Sequence, residues 1–564
     1  MNCPNCGAAN APESKFCVGC GAAMPAEAPA QAAGAETASV KSQIADTLKP
    51  VTSKVNKKVI FGAVAVVALL VVISVLCAIF GGGNGFVEMK KTIMFEKTGE
   101  NEYSVFVDKK LLSETIESKS RPTLVSNIDG KVAAILAEDT LYVVKGTKLK
   151  EVANDVTSFQ LSVEGKGIAY TTKDKDDEYP TLFLYTVSNG KKAEISDKAY
   201  GRYVISPDGK SVAYFVAPDK DDKEPTPELN LFKGKKSTKI TDDKVNVLGM
   251  SNSGKQIYVT SRNDDGDTIL YSYNAKGNKQ KLGEMSGSGF MFNDDHTQIM
   301  FKGKKDKMYL AIKGKEAKVM AKDAISLILA PNANSDFADG STYPVSKLYN
   351  HVYRSGDEVW MIKKNSDKNV KLVSKASYVQ LDQSAEYIYY NYDNEELRVA
   401  KISHGEKASE KAKVLVEENI RNYVVTSNRK FVYYIEDEAL YSVNGKKGGT
   451  AKTVANDDVS SLALSGKDKA YYVMDGDLYA CSNGKKGSKV LGDVNVVGNM
   501  PNGSVFAYTE DALYCTTGSK KLKKVCDLET KKSNSGSDYG DYGDYGDYDD
   551  YVDYLPDDLK DYLP

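Results

Sequence analysis

Four cysteines near the amino terminus, Cys3, Cys6, Cys17 and Cys20, are spaced C-x2-C-x10-C-x2-C. Thiolates at that spacing suit one tetrahedral Zn2+: each C-x2-C lets two sulfurs converge, and Gly7 and Gly21 permit the tight turn around the metal. Four filled positions leave none for a catalytic water, so the expected role is structural. A segment this short cannot fold on a core of its own, and the metal must supply most of its stability. The rival reading, a pair of disulfides, needs an oxidising compartment, and no secretory signal pattern is visible before Cys3. Lys15 is the only basic residue before Lys41, so no nucleic-acid partner is expected.

Elsewhere the groups that usually carry catalysis are sparse. His296, His351 and His404 are scattered, and neither H-E-x-x-H nor G-x-x-x-x-G-K-[ST] occurs. A hydrolase triad built on a G-x-S-x-G elbow needs a later histidine, and none follows His404. The histidines read as ordinary strand or loop residues, and the protein as a non-enzyme. Cys77, Cys481, Cys515 and Cys526 share no spacing. Cys77 reads as an apolar filler. Cys515 and Cys526 flank one hairpin turn, where they can pair or pack as small apolar residues, and the sequence leaves both open.

Charged turns are the more abundant chemistry. Lys191, Lys192, Lys235, Lys236, Lys446, Lys447, Lys485 and Lys486 sit in N-G-K-K or K-G-K-K turns, a candidate polyanion-binding rim. Asp174, Asp176, Asp177, Asp219, Asp221, Asp222, Asp264, Asp265 and Asp267 come from three acidic loops, a candidate rim for a cation or cationic ligand. Asp242-Asp243 and Asp457-Asp458 add to them. No acidic loop has a complete calcium-binding register. The bland reading is that both sets only keep hairpin tips soluble and block edge pairing.

These residues need elements to position them. Of 564 residues, 41% are apolar and 27% charged, so most of the chain can bury a core. The 36 tyrosines suit pleated strands. From Val59 to Phe80 run 22 residues without a charge. At about 1.5 Å per residue they reach roughly 33 Å, enough to span a bilayer core as a helix. Lys41, Lys49, Lys54, Lys57 and Lys58 precede this stretch with only Asp46 against them, whereas acids balance the lysines after it. The positive-inside bias places the cysteine segment in the cytoplasm and everything after the span outside.

From about residue 122 onward a short phrase recurs: S-P-D-G-K-S-V-A-Y at Ser206, S-V-E-G-K-G-I-A-Y at Ser162, S-N-S-G-K-Q-I-Y-V at Ser251, and weaker copies. Each is followed by an L-Y strand and a lysine turn, so one unit supplies four short strands. Nine anchors are clear and a tenth, near Leu348 to Tyr353, is degraded, with the spacing stretched around residues 320–345. Four strands every 40 or so residues signal a β-propeller, either one large ring or two. In a blade the turns between strands 1 and 2 and between 3 and 4 share one face, which predicts one basic and one acidic rim.

Two resemblances follow. C-P-N-C-G-A-A-N and K-F-C-V-G-C-G, within residues 1–23, resemble the short zinc ribbon at the amino terminus of many bacterial membrane proteins. The S-P-D-G-K-x-V-A-Y phrases resemble those of TolB and WD40-like propellers, although a single Trp and no W-D dipeptide depart from true WD40 repeats. The expected organisation is mainly β: zinc ribbon 1–23, a flexible linker 24–58, transmembrane helix 59–80, juxtamembrane lead-in 81–121, a propeller-like array 122–530 and a disordered Asp/Tyr/Gly tail 531–564. The net charge of -2 hides the stretch 533–564, in which ten Asp face only Lys560, so the body is mildly basic. The expected function is a single-pass cell-envelope protein whose extracytoplasmic propeller binds a protein or anionic envelope polymer, with structural Zn2+ in the cytoplasm. The alternative is a transmembrane sensor coupling an outside ligand to a cytoplasmic partner of the ribbon.

Overall fold

The computed structural model describes residues 88–218, 226–287, 289–323, 325–333, 350–363, 366, 368–465, 469–500, 502–516 and 521–528. The chain divides into units 1–83 and 84–564, and all of these residues belong to the second. The cysteine segment, the predicted span 59–80, the loop carrying Asp219, Asp221 and Asp222, and the acidic tail lie outside the described residues. Among the described residues no helix is long and apolar enough to cross a membrane.

Eleven antiparallel sheets follow one another along the chain, one of three strands and ten of four. Sheet 1 covers 93–117, sheet 2 123–153, sheet 3 156–196, sheet 4 199–241, sheet 5 246–285 and sheet 6 290–321. Sheet 7 covers 326–373, sheet 8 376–416, sheet 9 422–455, sheet 10 459–491 and sheet 11 496–527. Strand order within each sheet is sequential. Second strands such as Val132–Ala137 and Ser211–Val216 are buried along nearly their whole length, because each sheet is sandwiched between two neighbours. Fourth strands such as Lys236–Thr241 lie at the rim, with their first four residues exposed.

Each seam between consecutive sheets is filled by its own apolar cluster. Val144 and Leu149 of sheet 2 pack with Val105 and Ile116 of sheet 1, and so on around to Val473 of sheet 10 with Val505 of sheet 11. The last seam joins the ends: Met94 of sheet 1 packs against Met500, Leu513 and Cys515 of sheet 11. Two polar contacts cross the same seam, Tyr508 Oη donating to Glu96 at 2.5 Å and Asn502 Nδ2 to Asp108 at 2.9 Å. The array is one closed propeller of eleven blades, not two rings. First strands form the inner wall, where Tyr423 Oη donates to the Tyr378 carbonyl at 2.7 Å and the Leu464 N–H to Asn499 Oδ1 at 2.7 Å.

The recurring phrase is the turn between the first two strands. Its first residue caps the turn: Ser162 Oγ accepts the Gly167 N–H, Ser206 Oγ the Ser211 N–H and Ser251 Oγ the Gln256 N–H, each at 3.0 Å. Thr426, Asn293 and Asp382 do the same where the phrase is degraded. Three residues on the chain takes a positive φ, which glycine supplies at Gly165, Gly209 and Gly254. The positions that lack glycine, His296, Ala385 and Arg429, adopt it nevertheless.

The blade count exceeds the nine clear anchors and one degraded anchor. The stretch 81–121, expected as a lead-in, contains sheet 1, which lacks the phrase because the first-strand turn is missing from it. The degraded anchor is sheet 7, whose first strand ends at Leu327 and whose second begins at His351, a wide sequence separation that accounts for the stretched spacing.

Candidate functional site: the two turn faces of the ring

All eight candidate lysines lie at turns between third and fourth strands, and all are exposed. None forms an ion pair among the described residues. The turns themselves are firmly built. Asn189 Oδ1 accepts the Lys191 N–H at 3.0 Å, and Asn444 Oδ1 accepts those of Lys446 and Lys447 at 3.0 and 3.2 Å. Gly190, Gly234 and Gly484 supply the positive φ that these tight turns require. Two turns are also tethered by the preceding blade. Tyr389 Oη of sheet 8 donates to the Gly445 carbonyl at 2.8 Å, and Tyr433 Oη of sheet 9 accepts the Gly484 N–H at 3.0 Å. A buried tyrosine thus fixes the base of each of two lysine turns while leaving the ammonium groups in water.

Further third-to-fourth turns carry exposed Lys145, Lys148, Lys276, Lys313 and Lys315. Sequence reasoning passed over them because they lack the doubled lysine. First-to-second turns on the same face hold both signs, and several of their acids are engaged locally. Asp129 is paired with Lys131 at 2.6 Å, Glu164 is paired with Lys166, and Asp208 accepts from Ser206 Oγ and Ser253 Oγ, both at 2.7 Å. Those hydrogen bonds hold the Asp208 carboxyl below its usual range despite the opposing effect of its burial, the largest single influence.

Asp174, Asp176 and Asp177 lie in the loop between the second and third strands of sheet 3, and Asp264, Asp265 and Asp267 in that of sheet 5. These loops project from the opposite face. Asp267 is engaged by Lys304 of the next blade at 3.1 Å. Short second-to-third turns extend the acidic character through Glu138-Asp139, Asp437-Glu438, Asp475, Asp477 and Glu510-Asp511. Two-residue hairpins gave no run long enough to be noticed in sequence. Crowding is real here: burial, with the hydrogen-bonded and like-charged Glu418 beside it, pushes Glu436 up to about 7. Separation of the faces softens at the rim, where Asp243 of the link after sheet 4 meets Lys279 of the next blade at 2.8 Å and Tyr273 Oη at 2.7 Å. Asp177, Glu178, Asp197 and Lys198 line an open cleft between sheets 3 and 4. Among the described residues no group of three or more His, Cys, Asp or Glu could hold a metal ion.

Of the remaining reactive groups among the described residues, His296, His351, Cys481 and Cys515 are buried, and His404 and Cys526 are half-buried. His296 occupies a glycine-like turn position and stacks on Phe292 at 4.4 Å between ring centres. His351 is buried in its strand, with no partner for either ring nitrogen among the described residues, and burial pushes it down to about 4. Cys481, Cys515 and Cys526 are free thiols. The pairing of Cys515 with Cys526 that the hairpin left open is not formed: Cys526 stands opposite Leu513 and Cys515 opposite Lys523. Burial pushes Cys515 up to about 12 and Cys526 to about 11, so neither is a ready nucleophile.

Residues 2–24 match a zinc-ribbon domain family. The donor set within that match, Cys3, Cys6, Cys17 and Cys20, fits Zn2+. No curated protein matches the chain. Among solved structures, TolB from Acinetobacter baumannii is 15% identical with a TM-score of 0.24, covering 50% of this chain and 80% of its own. A eukaryotic initiation factor is 12% identical with a TM-score of 0.36, covering 65% and 97%. Dipeptidyl peptidase 4 from Porphyromonas gingivalis is 10% identical with a TM-score of 0.34, covering 64% and 65%. Likenesses this distant do not bear on function.

Proposed function

We propose that the chain is a non-enzymatic, membrane-anchored binding protein of the bacterial cell envelope. The span 59–80 anchors it, the zinc ribbon lies in the cytoplasm, and the propeller lies outside with two chemically distinct binding faces. The observation that carries the reading is the placement of the lysine turns: they recur on one face, held at their bases and unpaired at their tips. Such a face attracts a polyanionic envelope component, and the opposite face suits a protein or other cationic partner. Support for a non-enzymatic role comes from His296, His351, Cys481 and Cys515, which are buried among packed side chains. The zinc ribbon supplies a cytoplasmic structural element whose thiolates persist in a reducing compartment.

The test is binding of the detergent-solubilised full chain to soluble polyphosphate across a salt series. Binding that weakens steeply with salt, and is lost when Lys446, Lys447, Lys485 and Lys486 are replaced by Glu, is expected. Salt-insensitive or absent binding would overturn it.

A further inference from the structure

The ring shows which of its faces receives the chain from the amino-terminal side. Residues 88–92 run along the turn face before sheet 1 begins. The Met89 N–H donates to the Asn332 carbonyl at 2.9 Å, between the first two strands of sheet 7, and the Lys90 N–H to the Asp129 carbonyl at 2.8 Å, in the first turn of sheet 2. The Asp108 N–H in turn donates to the Thr92 carbonyl at 2.7 Å. Gly130 closes the arrangement: a Cβ there would strike the Lys91 carbonyl oxygen. Each of these partners belongs to the face that carries the lysine turns.

Only seven residues, 81–87, separate the predicted span from this docked segment. Fully extended they reach roughly 25 Å. Among the described residues of the face that receives the chain, the eight lysines of the doubled turns form no ion pair and Asp129, Glu164 and Asp208 are engaged locally, while exposed Glu316, Glu386, Glu406 and Glu410 form none but are outnumbered by the turn lysines. Lys91 adds to this, pairing with Asp108 at 2.6 Å. A face with equal charges would gain little from an anionic surface; one on which turn lysines outnumber the acids presents an excess of ammonium groups.

We infer that the lysine-turn face is a lipid-docking surface that lies against the anionic headgroups of the bilayer holding the chain, so that the acidic face points away and is the one offered to partners. The inference rests on the membrane-anchored reading above and names the polyanion that the lysine turns take. The ligand class is an anionic phospholipid surface, recognised by charge and not by a pocket, since no enclosed site is needed for ammonium groups to sit among headgroups. Screening over about one Debye length, ~8 Å at physiological salt, makes the contact effective only for the turn tips and sensitive to ionic strength.

The full chain reconstituted into vesicles of phosphatidylcholine alone, or of phosphatidylcholine with phosphatidylglycerol, and pulsed with an amine-reactive label reports on each face by mass spectrometry. With phosphatidylglycerol at low salt, Lys191, Lys192, Lys446 and Lys447 should label severalfold more slowly than with phosphatidylcholine alone, and high salt should restore them. Lys175, Lys198 and Lys305, on the opposite face, should be unchanged. Replacing Lys485 and Lys486 by Glu should speed labelling of Lys446 and Lys447 in the anionic vesicles. Equal rates in the two lipids, or protection of the opposite face, would overturn the inference. Protection appearing only when soluble anionic wall polymer is added to the phosphatidylcholine vesicles would assign the face to the polymer instead and also overturn it. Release of the chain from vesicles by an alkaline wash would contradict the anchored reading itself, a result distinguishable from all of these.

Discussion

At the scale of single residues, the four amino-terminal cysteines and His351 make opposite demands on protons. The cysteine thiols must lose theirs to hold a metal. The full chain is expected to bind one Zn2+, and Cys17→Ser should abolish stoichiometric zinc by elemental analysis while leaving the tryptic map of residues 88–528 intact. His351 must instead stay neutral. Its pKa is about 4 in the fold, against an ordinary value near 6.5, because burial alone penalises the charged ring. The unfolded chain therefore takes up a proton first as pH falls, so the stabilisation is complete above about 6.5 and is lost as pH drops toward 4. The slope approaches about 1.4 kcal/mol per pH unit within that window. Thermal melts between pH 7 and 4 should lose part of their acid sensitivity in His351→Phe. An unchanged slope would show that the ring is not buried as described.

Elements were legible where a local signal repeats. Ser162, Ser206 and Ser251 with a glycine three residues on mark a turn whose geometry needs both a capping oxygen and a positive φ, and so the phrase could be found by eye. It faded where glycine is replaced: His296 takes the positive φ, a conformation histidine adopts more often than most non-glycine residues, and stacks on Phe292. Sheet 1 was illegible because its defining contacts are with sheet 11, some four hundred residues away. The lysine turns were read correctly as third-to-fourth connections; their tyrosine tethers could not be, since the donor or acceptor sits one blade earlier. The zinc-ribbon segment was legible from cysteine spacing alone, and residues 2–24 match that domain family. Gly130 gives an element-scale prediction. Alanine there meets both the left-handed backbone, at φ +69, and the Lys91 carbonyl oxygen, and should cost about 1–3 kcal/mol. The first consequence should be local, with faster tryptic cleavage after Lys90 and Lys91 at temperatures where the ring is still folded. Unchanged cleavage would mean that the segment is not held against sheet 2.

For the whole molecule, closure and charge are the two properties that matter. Ten seams join sheets that are neighbours in sequence, and only the eleventh must be closed over the full length of the ring, which is why its polar contacts are informative. Burial raises the Glu96 carboxyl, with the Tyr508 hydroxyl opposing that effect. Tyr508→Phe leaves the Glu96 carboxylate short of a donor in a partly buried seam and should destabilise the fold by about 1–3 kcal/mol. Hydrogen exchange should then rise in 93–117 and 496–527 together, and a rise confined to one of them would argue against closure there. Charge has a similar long-range logic. A net value of -2 conceals a ring with lysine turns on one face and carboxylates on the other, and a chain that joins the ring on its lysine side. The central claim, an anchored propeller outside the membrane with its ribbon inside, is tested most directly by epitope labelling of intact and permeabilised bacterial cells expressing the full chain with a tag at each end. The account predicts that the carboxy-terminal tag is labelled in intact cells, that the amino-terminal tag is labelled only after permeabilisation, and that the chain stays with the membrane in alkaline carbonate. Both tags on the same side, or release of the chain by carbonate, would contradict it.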